Sequence, residues 1–171
     1  MNSLSNVSHA TPESVWAILQ ENAIQIKELQ KLTGSWANNH GFFAEEYFIN
    51  SFKKGQKNFF GENFDEMIEH VKGIPKKGFE DEYDILLING KSVGIVEIKF
   101  KAHVNDVPTI LRKAQTFRVN FPEYKNHQIY LGLATMTFYQ ELEQECINRG
   151  IVVIKQVGDT VIINDAHLKI F

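Results

Sequence analysis

The sequence predicts an α/β domain, and three observations carry that prediction. Two apolar, strand-like runs, Tyr83-Asp84-Ile85-Leu86-Leu87-Ile88 and Val93-Gly94-Ile95-Val96, flank the turn pair Asn89-Gly90. Segments of helical period alternate with further apolar runs. Gly150 stands between a helical segment and a strand-like one, where a helix would end in the left-handed conformation. With no internal repeats and no linker-like tract, these elements read as one α/β unit behind a helical extension.

The first ten residues are polar and predict a frayed end. Thr11-Pro12-Glu13 has the N-cap, first-turn proline and first-turn acid of a helix start. That helix is expected to run to about Leu32 and to end at Thr33-Gly34, which makes residues 1–33 a helical extension and 34–171 the main domain. Trp16, Leu19, Ala23 and Ile26 form a stripe able to pack on the domain or on a partner chain. A second helix is expected from Ser35, slack near Asn38-Asn39-His40-Gly41. In it Glu45, Phe48, Ile49 and Phe52 share a core-facing stripe, with Glu46 beside it.

Periodicity alone leaves residues 59–73 open between helix and strand. Gly73 to Gly78, with Pro75 and Lys76-Lys77, reads as a loop. After the hairpin 80–100 come a polar connection, His103-Val104-Asn105-Asp106, and a helix stopped by Pro122. His127 to Thr135 predicts a strand and Thr137 to Arg149 a helix. Two strands, Ile151–Val157 and Thr160–Ile163, are expected around Gly158-Asp159.

The chain has 171 residues, enough for one substantial core, and its 43% hydrophobic and 23% charged content is ordinary for a globular protein. A single cysteine, Cys146, excludes an internal disulfide and suits a reducing compartment. No run resembles a signal peptide or reaches the roughly 18 apolar residues of a membrane helix, so a cytoplasmic location and no membrane partner are expected. A net charge of −3 gives no global basic field, which leaves only a local groove for nucleic acid. The histidines show no zinc-like spacing, and phosphate-binding or dinucleotide glycine motifs and a serine nucleophile elbow are absent.

The informative charges lie in the hairpin. Glu97-Ile98-Lys99 extends an apolar run, and Asp84 interrupts another. If Asn89-Gly90 is a two-residue type I′ loop, Ile88 pairs with Lys91, Asp84 with Ile95 and Glu82 with Glu97. Alternation then places Asp84, Glu97, Lys99 and Glu82 on one face, with Asp84 and Glu97 diagonal at roughly 7–8 Å. Both faces of the hairpin are otherwise apolar, so these charges are expected to be paired or to hold a metal. A structural ion-pair cluster is the alternative.

A helical glutamate, an aspartate on one hairpin strand and hydrophobic-Glu-x-Lys on the next, then a helix and a strand, resemble the PD-(D/E)XK nuclease superfamily, including uncharacterised bacterial, resolvase-like members. The resemblance runs from about Gly41 to Thr135, with Tyr83 standing where the motif proline often is. It implies a restriction-endonuclease-like core: a central mixed β-sheet flanked by helices. It implies a metal-dependent nuclease acting on DNA, with Mg²⁺ or Mn²⁺ held by Asp84, Glu97 and the Ile98 carbonyl. Lys99 would then be catalytic, and Glu45, from Gly41-x-x-x-Glu45, would orient water or a second ion. On the following helix Gln115 is the expected site-approaching residue, and Arg112 and Arg118 the phosphate contacts; Glu82 and Glu46 are further candidates. Lys53-Lys54, Lys76-Lys77 and Lys99-Phe100-Lys101 offer charge along a substrate path. A homodimer would suit cleavage of both strands. The resemblance also admits a catalytically inactive member that binds nucleic acid or protein.

Overall fold

The computed structural model describes residues 11–54, 58–73, 81–157 and 160–171. The first ten residues, the Pro75–Lys77 loop and the Gly158-Asp159 turn lie outside that set. The chain divides into two compact units, residues 1–39 and 40–171.

Helix α1 spans Pro12–Lys54. Its start follows the expected chemistry: the Ser14 N–H donates to Thr11 Oγ1 at 3.2 Å, and Pro12 occupies the first turn. The expected stop at Thr33-Gly34 and the slack at Asn38–Gly41 do not occur. One interior glycine costs about 1 kcal/mol relative to alanine, too little to end a helix that propagates on both sides of it. In the first unit Trp16 and Leu19 are exposed.

In the second unit a six-stranded mixed sheet has the order β3 (Glu66–Lys72), β4 (Glu82–Ile88), β5 (Ser92–Lys101), β6 (Gln128–Thr137), β7 (Val152–Val157), β8 (Thr160–Asn164). The β5–β6 and β6–β7 pairs are parallel, and the remaining pairs antiparallel. The parallel crossovers are made by α2 (Val107–Asn120) and α3 (Gln140–Arg149). Gly150 closes α3 at φ 78°, as its position in the sequence required.

Side-chain alternation sorts the core into two layers. Leu86, Ile88, Val93, Ile95, Leu131 and Val153 pack with α2 and α3 residues such as Ile110, Phe117 and Leu142. Ile85, Leu87, Val96, Ile98 and Ile154 pack with Ala44, Phe48, Ile49 and Phe52 of α1. The expected stripe on α1 is therefore core-facing, and both hairpin strands are covered on each face.

Residues 58–72 form strands: β1 (Asn58–Phe59) and β2 (Glu62–Asn63) make a small hairpin, and β3 pairs with β4. The apolar spacing of Met67, Ile68 and Val71 fits a helix equally well. The open backbone edge of β4 decides the matter, because its N–H and C=O groups need partners.

A type I′ turn is present, though in a different hairpin from the expected one. Phe59 pairs with Glu62, and the two residues between, Phe60 and Gly61, have φ of 55° and 72°. A phenylalanine in this region costs about 1–2 kcal/mol. Phe60 is buried against Phe64, Tyr130 and the bare Cα of Gly94, and that burial offsets the strain.

At Asn89-Gly90 neither residue has positive φ. The loop is two residues longer than expected: Ile88 pairs with Val93, and the Asn89 side chain accepts the N–H groups of Lys91 (2.9 Å) and Ser92 (2.7 Å). The predicted pairing of Asp84 with Ile95 is thus replaced by Leu86 with Ile95. A shift of two residues preserves every face assignment, whereas a shift of one would have inverted them.

A Cβ on Gly94 would lie 2.6 Å from the Phe60 ring. Gly94→Ala should lower stability by about 1–3 kcal/mol in urea denaturation. The same substitution beside Phe60→Ala should cost less, because the clash is removed.

Candidate functional site

The site forms where β4 and β5 part. Their ladder ends at Ile85↔Val96. One residue further, the Asp84 carboxylate accepts the Ile98 N–H at 2.7 Å in place of a backbone carbonyl. The N–H and C=O of one strand residue lie on the same side, so the Ile98 carbonyl is directed to the same gap beyond the ladder. Continuing the observed register sets Asp84 across from Glu97 instead of diagonal to it, and Glu82 no longer opposes Glu97. Glu82 pairs with Lys72 of β3, and its side chain is exposed.

The partner strand is distorted at the same level. Glu69 pairs with Ile85 and Val71 with Tyr83, yet His70, opposite Asp84, takes φ 50° and leaves the ladder. Its Nδ1 lies 3.8 Å from Glu45 Oε2. A left-handed non-glycine residue beside a half-buried aspartate is the kind of local strain that clusters at functional positions.

Lys113 of α2 reaches the site from above the sheet. Only 5% exposed, it pairs with Glu97 Oε2, donates to the Glu82 carbonyl at 2.5 Å and lies 3.9 Å from Asp81 Oδ1. A polar relay supports it: the Thr116 hydroxyl donates to Asp81 (2.7 Å), and the Tyr83 hydroxyl lies 2.9 Å from it. Lys113 is not among the residues the sequence singles out, although it interrupts the buried stripe Val107, Ile110, Ala114 and Phe117. A charge inside an apolar stripe was the available signal, the same signal that singled out Glu97.

The other helix candidates lie elsewhere. Arg112 and Gln115 are exposed, roughly 100° and 200° around α2 from Lys113, so Gln115 does not approach the site. Arg118 donates to the carbonyls of Lys125 (3.0 Å) and Phe171 (2.6 Å), which ties it to the chain end. Lys99 stands with its Nζ 3.5 Å from Asp106 Oδ1. Glu45 is half-buried and Glu46 exposed, both on a groove with His70 and Glu69; Lys53 is ion-paired to Glu69.

Burial raises the Asp84 carboxyl above its ordinary value, with Glu45 and Glu82 adding to the rise while the Ile98 N–H and Lys113 oppose it. Glu97 is raised by burial and then by the Asp84 charge, against Lys113 and Lys99. The Asp84 charge thus acts on Glu97 within one partly dry site. Among the described residues no group of three or more acidic, histidine or cysteine side chains is placed to hold a metal, so any cation here would rest on two carboxylates and backbone oxygen.

Comparison with known proteins finds no matching family model, no matching curated protein and no matching solved structure.

A carboxyl raised by folding keeps its proton longer in the folded state than in the unfolded one. Its contribution is complete below the unfolded value and is lost as pH rises through the folded value. Asp84→Asn, which can still accept the Ile98 N–H, should therefore melt above the parent at neutral pH. The difference should shrink on acidification through the carboxylate range, as read by thermal melts across pH. Lys113→Ala leaves Glu97 buried without its amine and should cost about 3–5 kcal/mol in urea denaturation; adding Glu97→Gln should recover part of that loss.

Proposed function

We propose that the chain is a metal-dependent nuclease of PD-(D/E)XK type that hydrolyses phosphodiester bonds of DNA. One observation carries the reading. Asp84 and Glu97, on strands that part beside them, are both raised by burial, and the Asp84 charge raises Glu97 further. Such a repulsion between two carboxylates is what a divalent cation relieves.

The donor set fits Mg²⁺ or Mn²⁺: one oxygen from each carboxylate and the Ile98 carbonyl, all hard ligands. Bound there, the cation would supply Lewis acidity for a phosphoryl oxygen and lower the pKa of an attacking water. The protein's own groups perform the remaining tasks. The Ile98 N–H holds Asp84 in one orientation, and Lys113 holds Glu97 in another. Lys99, only partly buried, can turn its ammonium from Asp106 toward a phosphate and stabilise charge gathering on its oxygens. Glu45, beside His70, can orient water from the α1 side. Cutting both strands of a duplex would call for a pair of chains. Cys146, buried with its thiol pushed up to about 12, suits a reducing setting such as the cytoplasm.

A second reading, a catalytically inactive nuclease-fold binding module, is favoured by the amines themselves. Lys113 already neutralises Glu97, and Lys99 is turned to Asp106.

Incubation with linear, nicked and branched DNA and Mg²⁺ or Mn²⁺ separates the two. Cleavage should appear with wild type and fall at least about 100-fold in Asp84→Ala and Lys99→Ala. Mn²⁺ should raise the melting temperature of wild type and not that of Asp84→Ala. Undiminished cleavage in both variants would overturn these roles. A metal shift without cleavage would favour the binding module.

A further inference from the structure

A cavity of about 650 Å³ lies at the C-terminal ends of the parallel strands β5 and β6, lined by His103, Val104, Asn105, Tyr139, Gln140 and Leu142 along with Glu141. The ends of parallel strands are where open α/β sheets place their ligands. Two of the lining side chains carry rings: those of His103 and Tyr139 are nearly parallel, 16° apart in plane with centroids at 6.1 Å. The Lys101 ammonium stands 5.7 Å from the centre of the Tyr139 ring. Tyr139 is nonetheless 43% exposed, an aromatic surface left partly in water at the mouth of a cavity.

The polar lining selects among ligands. Asn105 and Gln140 carry amides, which both donate and accept and match the edges of nucleobases. Glu141 would repel a phosphate placed in the cavity. The combination suits a flat, neutral, hydrogen-bonding ring better than an anion. The cavity is also tied to the motif lysine. Asp106 receives the His103 N–H on Oδ2 at 2.7 Å, and its Oδ1 lies 3.5 Å from Lys99 Nζ. One carboxylate therefore joins the wall of the cavity to the Lys99 amine, the group proposed to meet the scissile phosphate.

We propose that this cavity is a nucleobase subsite, in which an unpaired base of the nucleic-acid strand stacks on Tyr139 while its phosphate runs toward Lys99. The proposal rests on the nuclease reading for the strand's direction, and it names the substrate class: DNA with an unpaired nucleotide next to the cleavage point. A fully paired duplex keeps its bases inside the stack and cannot fill the cavity without extrusion of one of them.

Binding measured without metal separates this proposal from cleavage. Fluorescence anisotropy, with EDTA present, would compare a labelled single-stranded oligothymidylate with an abasic strand of the same length. Wild type should favour the strand that carries bases. Tyr139→Ala should weaken that strand about 10-fold and leave the abasic strand unchanged, within the range for loss of one base–aromatic stack. Tyr139→Phe should bind like wild type, and melting curves should show that all three proteins are folded. Equal binding of both strands by wild type, an equal loss for both in Tyr139→Ala, or no binding of either strand would overturn the subsite. Cleavage that fails while this base preference holds would overturn the nuclease reading and leave the subsite standing.

Discussion

The hydrogen bond from the Ile98 N–H to Asp84 organises the site around it. An antiparallel ladder continues as long as each strand offers the other a backbone carbonyl and N–H. At Asp84 a side chain takes the place of the backbone acceptor, and β4 and β5 part after Ile85↔Val96. The parting opens a gap inside a sheet that is covered on both faces. Into that gap come two carboxylates, a backbone carbonyl and, from α2, the Lys113 amine. An apolar residue at 84 could not accept the Ile98 N–H.

Burial is the largest cause of the raised carboxyls at the site. The helices that cover the hairpin also strip water from Asp84 and Glu97, which raises both, and Glu97 feels the Asp84 charge as well. Lys113 answers part of that repulsion. Its own burial is tolerable because Glu97, the Glu82 carbonyl and Asp81 surround it. The cluster is therefore costly to build and has to be satisfied by an amine, by protons or by a cation.

Strain is distributed with the same economy. Phe60 takes a left-handed conformation and is held there by packing on Gly94, Phe64 and Tyr130. His70 takes one beside Glu45, level with Asp84, where the β3–β4 ladder skips a residue. The first case serves the core. The second places a polar ring at the edge of the site.

Much of this was legible from residue order. The strands from β4 to β8, the core stripe on α1, the helices α2 and α3 and the left-handed Gly150 all follow from local patterns, because periodicity and turn chemistry act over a few residues. So does the shared face of Asp84 and Glu97, which survived a wrong register because faces repeat every two residues. Tertiary structure decided what local rules leave degenerate. The unpaired edge of β4 made a strand of residues 66–72. The Asn89 side chain lengthened the loop and brought Asp84 across from Glu97, and the type I′ turn falls at Phe60-Gly61, where burial of the ring offsets its strain. The residue of α2 that faces the site proved to be Lys113 and not Gln115. In each case the deciding partner lies far along the chain or outside the local pattern, and spacing within one segment carries no information about it.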